Sequence, residues 1–152
     1  MKKINVFFLS RFIIGAIFLV SGFEKIIQPR QNFLYVIQGY DMLPHGSLEY
    51  IAASIFPLLE FLTGVYLIAG LWTKISLFAV LACTGTFIIA VSQAIIRKLP
   101  IEDCGCFGDL IGVPLWMILV MDISIFCMTV ILLRHLKKTS FFSLDYKIVT
   151  IN

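Results

Sequence analysis

Charge is what this sequence has least of. Only 14% of its 152 residues are Asp, Glu, Lys or Arg, against about 25% in an ordinary soluble domain. No long polar linker separates one part from another, so the length suits a single domain. There is no glycine-rich phosphate loop and no Ser/His/Asp arrangement, so nucleotide chemistry and triad hydrolysis have no support. Cysteine is sparse, four in all, and two of the four fall in "DCGCFG".

What fills the chain is apolar: 60% hydrophobic residues and a mean hydropathy of +0.99. A soluble core of this length has no room for so much apolar surface. Four stretches, Phe7–Ile27, Tyr50–Leu71, Ile75–Ile96 and Val113–Leu133, reach the roughly 20 residues that a bilayer crossing takes. They do not alternate as barrel strands do, and in lipid only helices or closed barrels satisfy the backbone. The expectation is an all-α integral membrane bundle of four transmembrane helices over residues 1–138, followed by a tail, 139–152, of unreadable function. The "MKK" start and first apolar run have the outline of a signal peptide, but the run is long and Arg11 interrupts it. It reads as a retained first helix.

Basic residues collect on the cytoplasmic side of membrane proteins. Lys2, Lys3, Arg11, Lys74, Arg134, Lys137, Lys138 and Lys147 would share one side, with Arg11 snorkelling towards it. Lys25, Arg30, Arg97 and Lys98 share the other side with six acids. Both termini are therefore expected in the cytoplasm, with loops Gln28–Glu49 and Arg97–Gly112 outside. The net charge of +3 reflects this topology and implies no nucleic-acid partner.

The second of those loops carries Cys104-Gly105-Cys106. Outside the cytoplasm a disulfide can form and persist. One bridging these two residues closes almost no loop, so it adds little stability. A small strained ring is more oxidising and more labile than a structural bridge, which points to electron exchange. Two alternatives stay open: unremarkable loop cysteines, or a metal site with Cys104, Cys106, Asp103 and His45 as ligands, although zinc motifs use two pairs at wider spacing. His45 is either a proton-transfer group near the cysteines or a solvated loop residue.

Several segments, in order, resemble the DoxX-like and MauE-like family of four-helix membrane proteins: "RFIIGAIFLVSGFEK", "GYDMLP", "FPLLEFLTGVYLIAGL" and "DCGCFG". The last resembles the MauE-like branch. The resemblance runs from about Arg11 to Leu133. It implies a redox-associated inner-membrane protein that works beside a periplasmic thioredoxin-like partner and, by likeness to DoxX-like proteins, couples to quinone. Cys104 and Cys106 would then be the catalytic pair.

In the first helix Arg11, Gly15, Phe18, Gly22 and Lys25 share a face, as do Pro57, Glu60 and Gly64 in the second. Small residues let helices approach closely in lipid, and the simplest packing sets these faces together. Glu60 lies roughly 16 Å above the inner end of its helix, and Asp122 at about the same depth. A charge there costs at least roughly 3 kcal/mol, so each acid is protonated or paired. Arg11 is the nearest cationic candidate below Glu60, and Lys25 the nearest above. Glu60 reads equally as a proton carrier or as half of a structural salt bridge; Asp122 reads rather as structural. Cys83 and Cys127 lie on neighbouring helices where their thiols could meet, but buried cysteines more often serve as small hydrophobes. Trp72 and Trp116 sit near helix ends as interface anchors.

Three functions follow. One is a thiol–disulfide redox protein, one an accessory subunit that docks a periplasmic redox partner, and one a metal-binding membrane protein.

Overall fold

A computed structural model of the chain describes residues 6–42, 46–99 and 114–136. Five helices make up these residues, and no strand occurs among them: α1 Val6–Ile27, α2 Arg30–Tyr40, α3 Ser47–Ala69, α4 Thr73–Arg97 and α5 Leu115–Arg134. All but α2 are long and apolar enough to cross a membrane. These four match the expected spans to within a few residues. Their outward faces are fatty, with Phe12, Val20, Phe23, Ile55, Phe78, Trp116 and Val120 all exposed, as lipid contact requires. Trp72 and Trp116 are exposed at helix ends, as expected of interface anchors.

The breaks between helices have local causes. Pro29, which has no N–H to donate, ends the run of α1 and stands at the N-cap of α2. Gly70 closes α3 in the left-handed conformation, φ 68°, that glycine adopts without a Cβ penalty. Pro114 opens α5. Pro57 lies inside α3, where its missing N–H leaves the Ala53 carbonyl without its helical donor.

The helix α2 corrects the reading of residues Gln28–Glu49 as a loop. It is an eleven-residue amphipathic segment, too short to span. It buries Phe33 and Leu34 against Ala53 of α3, and Tyr40 against Ala90, Val91 and Ala94 of α4. Its end is tied down by the Gln93 side-chain amide, which donates to the Tyr40 carbonyl at 3.4 Å, and by an exposed Arg97–Asp41 ion pair at 3.0 Å.

The tightest seam joins α1 to α3, as the shared glycine faces implied. A Cβ on Gly15 would stand 2.9 Å from Ile68, one on Gly64 would collide with the backbone of Leu19, and one on Gly22 with the backbone of Phe61. This register is antiparallel and leaves no room for side chains at the crossing. The other helices close the bundle through Leu77, Val80, Ile125 and Leu132, which pack with Ile14, Phe18 and Leu67. The Phe7 and His135 rings meet at 5.2 Å, so the start of α1 and the end of α5 lie at one end of the bundle. Leu99 and Leu115, on either side of residues 100–113, pack into the Tyr40 cluster. They mark the other end, called the loop end below.

Candidate functional site

The α1–α3 register fixes the site. One turn beyond Gly22 comes Lys25, and one turn before Gly64 comes Glu60. Helical side chains tilt towards the helix N-terminus, so Lys25 projects back from the end of α1 into the bundle. Its Nζ lies 2.6 Å from Oε2 of Glu60, with both side chains almost wholly buried. Lys25 also donates to Ser21 Oγ at 3.0 Å, and the Ser21 hydroxyl donates to the same Glu60 oxygen at 3.2 Å. The ammonium lies 5.2 Å from the Phe87 ring centre and 5.3 Å from that of Phe33, close enough for cation–π attraction. Charge, hydrogen bonds and aromatic faces together offset the cost of holding this ion pair in a lipid interior.

Asp122 on α5 faces the same place. Ser21, Lys25, Glu60, Thr84 and Asp122 line one small cavity of about 30 Å³. Asp122 is 5% exposed, and its Oδ2 is buried with no hydrogen-bond partner. Thr84, which also lines the cavity, donates its hydroxyl to the Val80 carbonyl at 2.7 Å, so its oxygen can still accept.

Of the residues singled out from sequence, the fold brings Lys25, Glu60 and Asp122 together. Arg11 is elsewhere. It is buried, 1% exposed, with its guanidinium 5.3 Å from the Phe8 ring centre. It therefore does not snorkel, and Glu60 takes the cation above it. Cys83 is buried while Cys127 is exposed, and no disulfide joins these two thiols. Cys104, Cys106, Asp103 and His45 lie outside the described residues, as does the tail from 139. Among the described residues no group of three or more His, Cys, Asp or Glu could hold a metal.

Sequence reasoning missed Ser21, Thr84, Phe33 and Phe87. Ser21 carried a signal, since it lies four residues before Lys25 and hence on the same face. It missed also a second, larger cavity of about 270 Å³ between α2, α3 and α4. Phe33, Tyr40, Phe56 and Phe87 give it aromatic walls, and Ala52 and Ala90 leave the space. Phe87 lines both cavities, and its ring and that of Phe33, which also lines the larger one, both stand against the Lys25 ammonium.

The family model described as "Methylamine utilisation protein MauE" matches residues 3–135. The chain belongs to the MauE family. The match spans every described helix of this MauE-family protein and also covers the Cys104–Cys106 segment. No curated protein matches the chain, and no solved structure matches it. Family and helices together make this a multi-pass membrane protein of the MauE family, with apolar helix faces turned to lipid.

Proposed function

We propose that this MauE-family protein is an inner-membrane thiol–disulfide redox protein, with both termini in the cytoplasm and the loop end in the periplasm. Cys104 and Cys106 exchange electrons with a periplasmic thioredoxin-like partner, in the maturation of proteins used for methylamine utilisation, as the family description suggests. The observation that carries this reading is the anchoring of the cysteine segment. Its two stems, Leu99 and Leu115, pack into one cluster with Tyr40 and Ala90, and those two residues also line the aromatic cavity. The two stems of the segment that carries the dithiol therefore adjoin an apolar space built into the membrane bundle.

In the first step a thiolate of the partner attacks the Cys104–Cys106 disulfide. A mixed disulfide forms and one cysteine leaves as thiolate. The partner's second thiol then releases the mixed disulfide, so the partner is oxidised and the Cys104–Cys106 pair is reduced. Re-oxidation needs a two-electron acceptor within the membrane. The aromatic cavity would take the ring of a quinone, with Phe33, Phe56 and Phe87 to stack on it, and Tyr40, which also lines it, packs with the stems Leu99 and Leu115. A bound quinone would supply the sink for two electrons and two protons, which balances the oxidation of the dithiol. Glu60, held by Lys25 and Ser21, would help carry the protons that dithiol oxidation releases.

The test is a redox titration of the purified protein with alkylation to count free thiols. A reversible two-thiol transition, lost in Cys104→Ser, is expected, together with quinone reduction driven by a reduced thioredoxin-like protein. Full activity in a Cys104→Ala protein would sink the proposal. If the double Cys104→Ser/Cys106→Ser protein still forms its partner complex and supports the phenotype, the protein is a non-catalytic docking subunit. Stoichiometric bound metal lost in that variant would instead establish a metal site.

A further inference from the structure

The charges around the smaller cavity do not balance if every group is ionised. Lys25 from α1 is committed to Glu60 from α3 at 2.6 Å. Asp122 from α5 is a second acid on the same wall, and no second cation lines the cavity among the described residues. Arg11, the other buried cation of α1, lies ten residues before Ser21, roughly 15 Å along the helix. The packed face of α4 offers Thr84 and Phe87, with the Cys83 thiol one residue before Thr84. The helix α2 brings only the ring of Phe33 near Lys25. Arg97, the basic residue ending α4, is exposed and paired with Asp41.

A carboxylate buried without a counter-ion or a donor is among the costliest groups a lipid-facing bundle can hold, and it neutralises instead. Asp122, 5% exposed, has such an oxygen, buried without a hydrogen-bond partner, and lines a small cavity whose walls are part polar, from Ser21, Lys25, Glu60 and Thr84, and part apolar. The cavity volume of about 30 Å³ admits roughly two waters at about 10–15 Å³ each. Ser21, Thr84, Lys25 and Glu60 supply the polar partners that such waters need.

We infer that this cavity is a proton-binding site, in which Asp122 carries the proton as a neutral carboxylic acid while Lys25 is held by Glu60. One or two waters connect the acid to the ion pair. The proton and the salt bridge are then two halves of one arrangement: Asp122 stays neutral because Lys25 is already neutralised. If the Asp122 proton passes through those waters to Glu60, the Lys25 charge becomes the counter-ion of the Asp122 carboxylate instead. A proton can therefore pass across the cavity with no net change of buried charge. This site does not depend on the thiol chemistry, and its signature is read without any electron transfer.

The test is infrared spectroscopy of the full chain in lipid nanodiscs, with the aspartate side-chain carboxyl labelled with carbon-13. A protonated-carboxyl carbonyl band, shifted by the label, is expected at neutral pH. Asp122→Asn should remove it, with Asp122→Ser as a second route to the assignment if the first variant misfolds. Glu60→Gln should also remove it although Asp122 is intact, because the freed Lys25 gives Asp122 its counter-ion. The absence of a label-shifted band in the wild-type protein overturns the proton site. Persistence of the band in a folded Glu60→Gln protein overturns its link to the ion pair. A band that vanishes on adding sodium at constant pH overturns it in favour of a cation site.

Discussion

Nζ of Lys25 lies 2.6 Å from Oε2 of Glu60, deep between α1 and α3 and just beyond the crossing where Gly22 meets the backbone of Phe61. The two residues are 35 positions apart in the chain. Their meeting is set by helix register, and both the stability and the chemistry of the bundle depend on it.

Removing the cation strands the acid. Lys25→Met leaves Glu60 as a buried acid without its cation, and breaking such a pair costs about 3–5 kcal/mol. The expected result is a clear fall in Tm in detergent. A Lys25→Met/Glu60→Leu double variant removes both charges and should regain most of the loss. A double variant less stable than either single one would show that the pair is not the unit.

The glycine seam should separate sharply from other glycines. Gly22→Ala and Gly64→Ala push a methyl group into the backbone of the facing helix, and overpacking costs about 1–3 kcal/mol. At Gly85 the nearest atom to an added Cβ is a Phe126 ring carbon at 3.8 Å, an ordinary contact. Gly85→Ala should be neutral or stabilising by up to about 1 kcal/mol, because alanine favours helix. Thermal unfolding of the three variants side by side checks this.

Thiol labelling should distinguish the two cysteines of the bundle. Cys127 is exposed on α5 and Cys83 is buried on α4. A small apolar maleimide should modify Cys127 in folded protein in detergent and Cys83 only after unfolding. Mass spectrometry of single-cysteine variants reads this directly, and it sets the background for counting Cys104 and Cys106.

Filling the aromatic cavity should block electron transfer while sparing the fold. Ala52 lines it, and Ala52→Trp would occupy much of its volume. The expected outcome is quinone reduction lowered about tenfold or more, equivalent to about 1.4 kcal/mol, with thiol exchange towards the partner retained. Unchanged quinone reduction in the folded variant would remove the cavity from the mechanism.

The spans were legible because bilayer thickness imposes a run length that composition alone reveals, and the α1–α3 contact because glycines recurred on one face of each helix. Glu60 and Asp122 could be placed at one depth, since rise per residue is fixed. The choice of Lys25 over Arg11 as partner was not legible: both lie on the same helix face, and only the register of α1 against α3 decides between them. Nor was the shared cavity, because depth along a helix says nothing of rotation about it. The helix α2 was hidden for another reason. It is short, and its polar residues Arg30, Gln31, Asn32 and Gln38 read as loop until Phe33, Leu34 and Tyr40 are seen to be buried. With it went the aromatic cavity, of which α2 forms a wall.

The glycine crossing also acts as a ruler. Each residue of helix turns the chain by about 100°, so one residue added between Gly22 and Lys25, or between Glu60 and Gly64, would swing a charged side chain off the seam and into lipid. The counts of residues from the crossing to each charge are thus as much a part of the site as the charges themselves.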